Sequence, residues 1–173
     1  MHKNSSGILS IMSVKKAVIS FGFAALLTGC IPYGSSEAIK SLPVDLAKAG
    51  YISDIEIKSL PPNASPEFHD KLSLALTTEM KKCATGAHPL KLSVSIGRIT
   101  GENAAQTILV GDSEDIKGSA QLIEPSTSTV VGDYDINRSV GGGGLIAAIG
   151  MAGAEAHLAT SFASEVCKQA FGR

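Results

Sequence analysis

The sequence is poor in the patterns that announce chemistry. No two of its histidines (His2, His69, His88 and His157) stand at a His-x-x-x-His spacing, so it lacks the paired imidazoles of a helical zinc site. No serine sits in a Gly-x-Ser-x-Gly elbow, and no glycine loop carries the lysine of a phosphate cradle. Basic residues nowhere gather into the patch that nucleic acid demands. No apolar run reaches the roughly 20 residues of a spanning helix. These absences lead to the expectation of a protein that is not an enzyme, with no catalytic residue, no metal and no cofactor, and with no nucleic-acid partner. Two acidic groups remain: Asp112, Glu114 and Asp115, and the alternating pair Asp133 and Asp135. Calcium takes several oxygen ligands, but the first group lacks a spaced ligand loop and the second falls on the outer side of a strand, so both read as solvated surface.

The amino-terminal residues are more specific. Lys15 and Lys16 precede an uncharged apolar run from Ala17 to Leu27, the basic-then-apolar pattern of a secretory signal. The run ends in Leu27-Thr28-Gly29-Cys30, which resembles the lipobox of bacterial lipoproteins: a branched apolar residue, two small residues, then cysteine. The resemblance implies that residues 1–29 are removed and that Cys30 carries a diacylglycerol thioether and an N-acyl chain. Met12 opens a signal of more usual length, so residues 1–11 read as an extension. In the same class, an aspartate after the cysteine signals inner-membrane retention. Ile31 stands there instead, which implies an outer-membrane anchor facing the periplasm. At about 0.8 kcal/mol per buried methylene, two or three acyl chains hold a protein essentially permanently.

Removal of residues 1–29 takes Lys3, Lys15 and Lys16 but no acid, leaving twelve basic against sixteen acidic residues and a net charge of −4 over 144 residues. That length suits one domain with a single core. Residues 30–50 read as a lipidated tether, rich in Pro32, Gly34, Ser35 and Ser36, with one or two helical turns from Pro43 to Ala49 stopped by Gly50. Residues 51–173 read as one α+β periplasmic domain.

Within that domain four segments alternate with period two, the mark of half-buried strands. Tyr51 to Ser59 places Tyr51, Ile55 and Ile57 inward. Leu90, Leu92, Val94 and Ile96 alternate with Lys91, Ser93 and Ser95. Asp115 to Ile123 turns Ile116, Ala120 and Leu122 inward, and Thr129 to Val140 does so with Val130, Tyr134, Ile136 and Val140. Pro125-Ser126-Thr127 supplies the turn between the last two, and Ile108-Leu109-Val110 extends the hairpin before them. Ser65-Pro66-Glu67 predicts a helix start with a serine cap, followed by Phe68, Leu72, Ala75, Leu76, Met80 and Cys83 at helical spacing. A last helix spans about Leu145 to Ala170, with Met151, Leu158, Phe162 and Val166 as its stripe. Strand, helix, three strands and helix make a two-layer α+β sandwich, mostly antiparallel, with both helices on one face.

The Leu90–Ile96 strand, Gly118-Ser119-Ala120-Gln121-Leu122-Ile123, Val130-Val131-Gly132-Asp133-Tyr134, and the glycine run before an alanine-rich helix (Ala156–Ala170) carry a second resemblance. The chain is similar in architecture, over roughly residues 51–171, to short envelope lipoproteins related to the TolB amino-terminal domain and the curli secretion lipoprotein. The resemblance implies an accessory or assembly role through contacts with other envelope proteins or with itself. Pore formation is not carried over, because the chain has no segments for membrane-crossing hairpins. The alternative is a module sampling an envelope component in the cleft beside the glycine run.

Three features of the last helix stand out. Gly141–Gly144 reads as an anion loop or, more simply, a flexible turn. Gly144, Ala148, Ala152 and Ala156 are small residues four apart on one face, either packing close to the sheet or contacting a partner. Glu155 shares its face with Met151, Leu158 and Phe162 and is expected to reach past the sheet edge. Topology bears on the two other cysteines. A right-handed crossover makes the first two strands parallel, and an antiparallel meander after them makes the two helices parallel. Cys83 and Cys167, each near a helix carboxyl end, then fall at the same end of the helical layer and are expected to pair in an oxidising compartment.

Overall fold

Leu90, Leu92, Val94 and Ile96 are all fully buried, and the strand that carries them is an interior strand of a mixed sheet. The computed structural model describes residues 32–100, 113–141 and 153–172. Elements follow in the order β1 (Pro32–Tyr33), β2 (Glu37–Lys40), α1 (Val44–Ala49), β3 (Gly50–Ser59), α2 (Phe68–Cys83), β4 (His88–Thr100), β5 (Ser113–Glu124), β6 (Thr129–Gly141) and α3 (Ala154–Phe171). The sheet order is β1-β6-β5-β4-β3, with β2 also on β6. β3 pairs parallel to β4, as a helical crossover through α2 requires, and every other pairing is antiparallel.

Both long helices lie on one face of the sheet, giving the two-layer α+β sandwich. α2 buries Phe68, Leu72, Ala75, Leu76, Met80 and Cys83, the face its spacing predicts. From α3, Leu158, Phe162 and Val166 enter the same core, against Ile116, Leu122 and Ile136 of the sheet. Burying each such side chain stabilises by about 1.5–3 kcal/mol. α3 ends at Gly172, whose left-handed backbone (φ 70°) lets its N–H reach the Lys168 carbonyl at 2.9 Å; glycine takes that conformation without a Cβ penalty. The outer face of the sheet is polar, with Lys91 paired to Glu56 at 2.8 Å and Gln121 donating to Asp133 at 3.0 Å.

Several expectations need correction. The stretch from Pro32 to Lys40, read as a tether, is paired: β1 and β2 add two short strands to the open edge of β6, and α1 after them is the helical turn expected before Gly50. In β3 the register shifts between Ile52 and Asp54, and beyond that bulge the phase of alternation is reversed. Ile52 therefore joins Ile55 and Ile57 against the core, and Tyr51, expected inward, is 37% exposed. A bulge between Leu122 and Ile123 of the β5–β6 ladder skips Val131, so Val131 rather than Val130 packs on the core. Ser65 does not cap α2; the helix begins at Phe68 behind Glu67 with no side-chain cap. Cys30, Ile108-Leu109-Val110, Gly144, Ala148, Met151 and Ala152 lie outside the described residues.

Candidate functional site

The edge of β6 holds the amino-terminal segment by backbone pairing and by side-chain hydrogen bonds. Pro32 pairs with Val140 and Tyr33 with Ser139, and then Glu37 pairs with Asp135 and Ala38 with Tyr134. Between the two strands the chain passes so close to β6 that a Cβ on Gly34 would stand 1.9 Å from the Asn137 carbonyl oxygen, so only glycine fits. The Ser36 hydroxyl accepts from the Asn137 N–H at 3.3 Å. Lys40 reaches back along the strand, its ammonium donating to the Val130 carbonyl. The last stitch is buried. Leu42 N–H donates to the Tyr134 hydroxyl at 2.9 Å, with Tyr134 fully enclosed and Leu42 7% exposed. Burial holds the Tyr134 phenol above its ordinary range, partly offset by that hydrogen bond. This edge is a clamp: it fixes the segment from Pro32 to Leu42 along the rim of the sheet.

A second constellation ties the helices together at their amino-terminal ends. The Glu155 carboxylate accepts from the Ser65 N–H at 3.1 Å, from the Ser65 hydroxyl, and from Lys71 Nζ at 2.7 Å. Glu155 does not reach past the sheet edge as expected; it is half-buried and holds the entry to α2 in place of a serine cap. Burial pushes its carboxyl up, but the hydrogen bonds from Lys71 and Ser65 outweigh this and bring it below the usual value of 4.5. At the opposite end Cys83 and Cys167 form a disulfide with Cα atoms 6.0 Å apart, within the span such bridges require.

The third constellation was missed in the sequence. Arg138, on the core side of β6, lies 3.4 Å from the buried Glu165 carboxylate of α3 and donates from Nε to Ser161 Oγ at 3.3 Å. Gln169 also donates to Glu165, at 2.8 Å. The signal available was an arginine at an inward position of an alternating strand together with a glutamate within the apolar run of the last helix, three residues after Phe162 and directly before Val166.

The remaining sequence candidates stay apart. Asp133 and Asp135 flank the buried Tyr134 on the outer face, Asp135 lying 3.6 Å from Lys117. Glu114 is buried. His69 lies beside Asp70 at 3.3 Å and His88 contacts Glu124 at 2.7 Å, at different places in the fold. Among the described residues no group of three or more His, Cys, Asp or Glu side chains is placed to hold a metal ion, and no helix is long and apolar enough to cross a membrane. Of the small-residue face only Ala156 is described, and it is exposed. A groove of about 300 Å³ lies between α2 and β3 and is lined by Tyr51, Ile52, Ile55, Thr77, Met80 and Lys81 among others. It is far along the sheet from Gly141, where a ligand cleft was expected.

The fold places the chain in the class of two-layer α+β sandwiches with a parallel β3–β4 pair and a carboxyl-terminal helix. Solved structures share it. The PelC dodecamer from Paraburkholderia phytofirmans, seen in two crystal forms, matches 80% and 79% of this chain and 98% of its own, at TM-scores of 0.51 and identities of 16% and 15%. Protein XCC0632 from Xanthomonas campestris, of the DUF330 family, matches 68% of this chain and 81% of its own at a TM-score of 0.50 and 15% identity. At these identities the likeness is one of fold. A scan of protein-family models finds no match, and a search of curated proteins finds none either.

Proposed function

We propose that the chain is a lipid-anchored protein of the bacterial outer membrane, facing the periplasm, that works without catalysis as an accessory or assembly factor through protein–protein contacts. The observation that carries this reading is the clamp on β6. A residue only two positions before Pro32 has the sequence setting of a lipidated cysteine, and the chain from Pro32 onward is stitched into the sheet by backbone pairing and the Leu42–Tyr134 bond. A domain fastened this closely to its anchor serves as a fixed platform. Self-association is the favoured contact, supported by the likeness in fold to PelC, which is a dodecamer. Native mass spectrometry of protein extracted from membranes in mild detergent tests both parts. The expected result is an oligomer whose subunits carry a diacylglyceryl, N-acylated Cys30; an unlipidated monomer that captures no envelope protein on crosslinking in intact cells refutes it. A second reading, a ligand-binding module, draws on the groove between α2 and β3. The same spectra decide for it if a small molecule accompanies each subunit and Met80→Ala removes that mass.

A further inference from the structure

We infer that the bilayer lies against one end of the sheet, the end at which Pro32, Thr100, Ser113 and Gly141 meet, so that the strands stand away from the membrane. The inference deepens the lipid-anchor reading and rests on it. Its first ground is the ladder register. Pro32 pairs with Val140, Ser113 with Gly141 and Thr100 with Asp115, so the start of β1, the ends of β4 and β6 and the start of β5 share one rim. The loop before α2 joins them, since the Asn63 amide donates to the Ile99 carbonyl at 2.6 Å. The second ground is reach. Two residue steps separate Cys30 from Pro32, a span of at most about 7 Å even when fully extended. Acyl chains on Cys30 must enter the hydrocarbon, so this rim stays at the headgroups. β6 has 13 residues, and at about 3.3 Å per residue its far end stands roughly 40 Å higher. The third ground excludes lying flat on the outer face. That face presents Lys91 with Asp54 and Glu56, and Lys117 with Asp135, charges that lose solvation against lipid. The exposed lysines Lys82 and Lys168 lie at the distal end with the disulfide, where the short anchor cannot bring them to the surface. The occupant of the rim is therefore a lipid headgroup layer, and the surface offered to partners is the distal end and the flanks.

The orientation is measurable with the full-length lipidated protein in vesicles of phosphatidylethanolamine and phosphatidylglycerol that contain a nitroxide-labelled lipid. The native cysteines are bridged or acylated, so a single added thiol takes a fluorophore. Arg98→Cys marks the rim and Ser126→Cys the distal turn; both positions are exposed. The expected result is several-fold stronger quenching at residue 98 than at residue 126. Equal quenching means that the domain lies along the membrane and overturns the orientation while leaving the anchor intact. Flotation of the same samples separates the two ideas: if Cys30→Ala floats with the vesicles as the parent does, or if the parent fails to float, the lipid-anchor reading itself falls.

Discussion

Replacing Tyr134 by Phe removes one oxygen from a fully enclosed ring and leaves its apolar volume in place. The hydroxyl is the acceptor of the Leu42 N–H at 2.9 Å, and neither residue has a route to water: Tyr134 is 0% and Leu42 7% exposed. The variant therefore strands a buried backbone donor, which costs about 1–3 kcal/mol, against about 1 kcal/mol for an ordinary hydrogen bond exchanged with water. The gain from burying a less polar ring offsets a small part of this. Unfolding in urea gives the magnitude. With a slope of about 1–3 kcal/mol/M, a loss near 2 kcal/mol lowers the midpoint by roughly 1 M with the slope unchanged. Hydrogen exchange locates the loss. The Leu42 amide and those of β1 and β2 exchange faster, while amides at the centre of β4 follow only the change in global stability. An unchanged midpoint, or a lowered one with Leu42 still protected, would refute the claim that this bond closes the clamp.

Three further outcomes follow from the same contacts. The Cys83→Ser/Cys167→Ser variant loses a bridge between residues 84 apart and is expected to be less stable by about 2–4 kcal/mol; a melting curve equal to that of the oxidised parent refutes this. Glu155 has a folded-state pKa below its ordinary 4.5, so its contribution is fully present above the unfolded value and disappears as pH falls through the folded one. The stability difference between the parent and Glu155→Gln should accordingly be constant at neutral pH and shrink in acid; a difference independent of pH contradicts the assigned ion pair with Lys71. Gly34→Ala sets a Cβ against the Asn137 carbonyl, and the displaced segment should be cut by protease well before the body of the domain, an order that intact-mass time courses reveal.

Legibility followed burial. α2 declared its buried face because six apolar side chains repeat at helical spacing and all enter one core. β5 and the first half of β4 were equally plain, since apolar side chains on the covered face alternate with polar ones on the other. Phase was lost wherever a bulge intervened. The reading of β4 stopped at Ile96 because the register shift between Ile96 and Arg98 places the next inward residue at Ile99, three positions on. β2 left no pattern at all: its four residues are exposed and it is held through its backbone and through Lys40. Edge pairing of that kind does not constrain side chains, so Pro32, Gly34 and Ser36 spelled a linker. The clamp itself was half visible. Tyr134 was placed inward, but its partner is a main-chain N–H 92 residues away, and such a donor has no residue type to betray it. Glu155 is a visible misfit on an apolar face, while its partners lie far off in the sequence, Ser65 in the loop before α2 and Lys71 in that helix.

The antiparallel course of β1 and β2 along β6 also sets how the protein resists force. Hydrogen bonds between strands lie across the strand axis. A tug on Pro32 along that axis, directed away from the body of the domain, slides the segment past β6 instead of peeling it away. The bonds at Val140, Ser139, Asp135 and Tyr134 are then strained together, in shear, and none is exposed to rupture one at a time. A pull at right angles to the sheet edge unzips the same bonds in sequence, starting at Pro32. The joint between the amino-terminal segment and the sheet is thus strong in one direction and weak in another, a mechanical polarity built from six residues of strand.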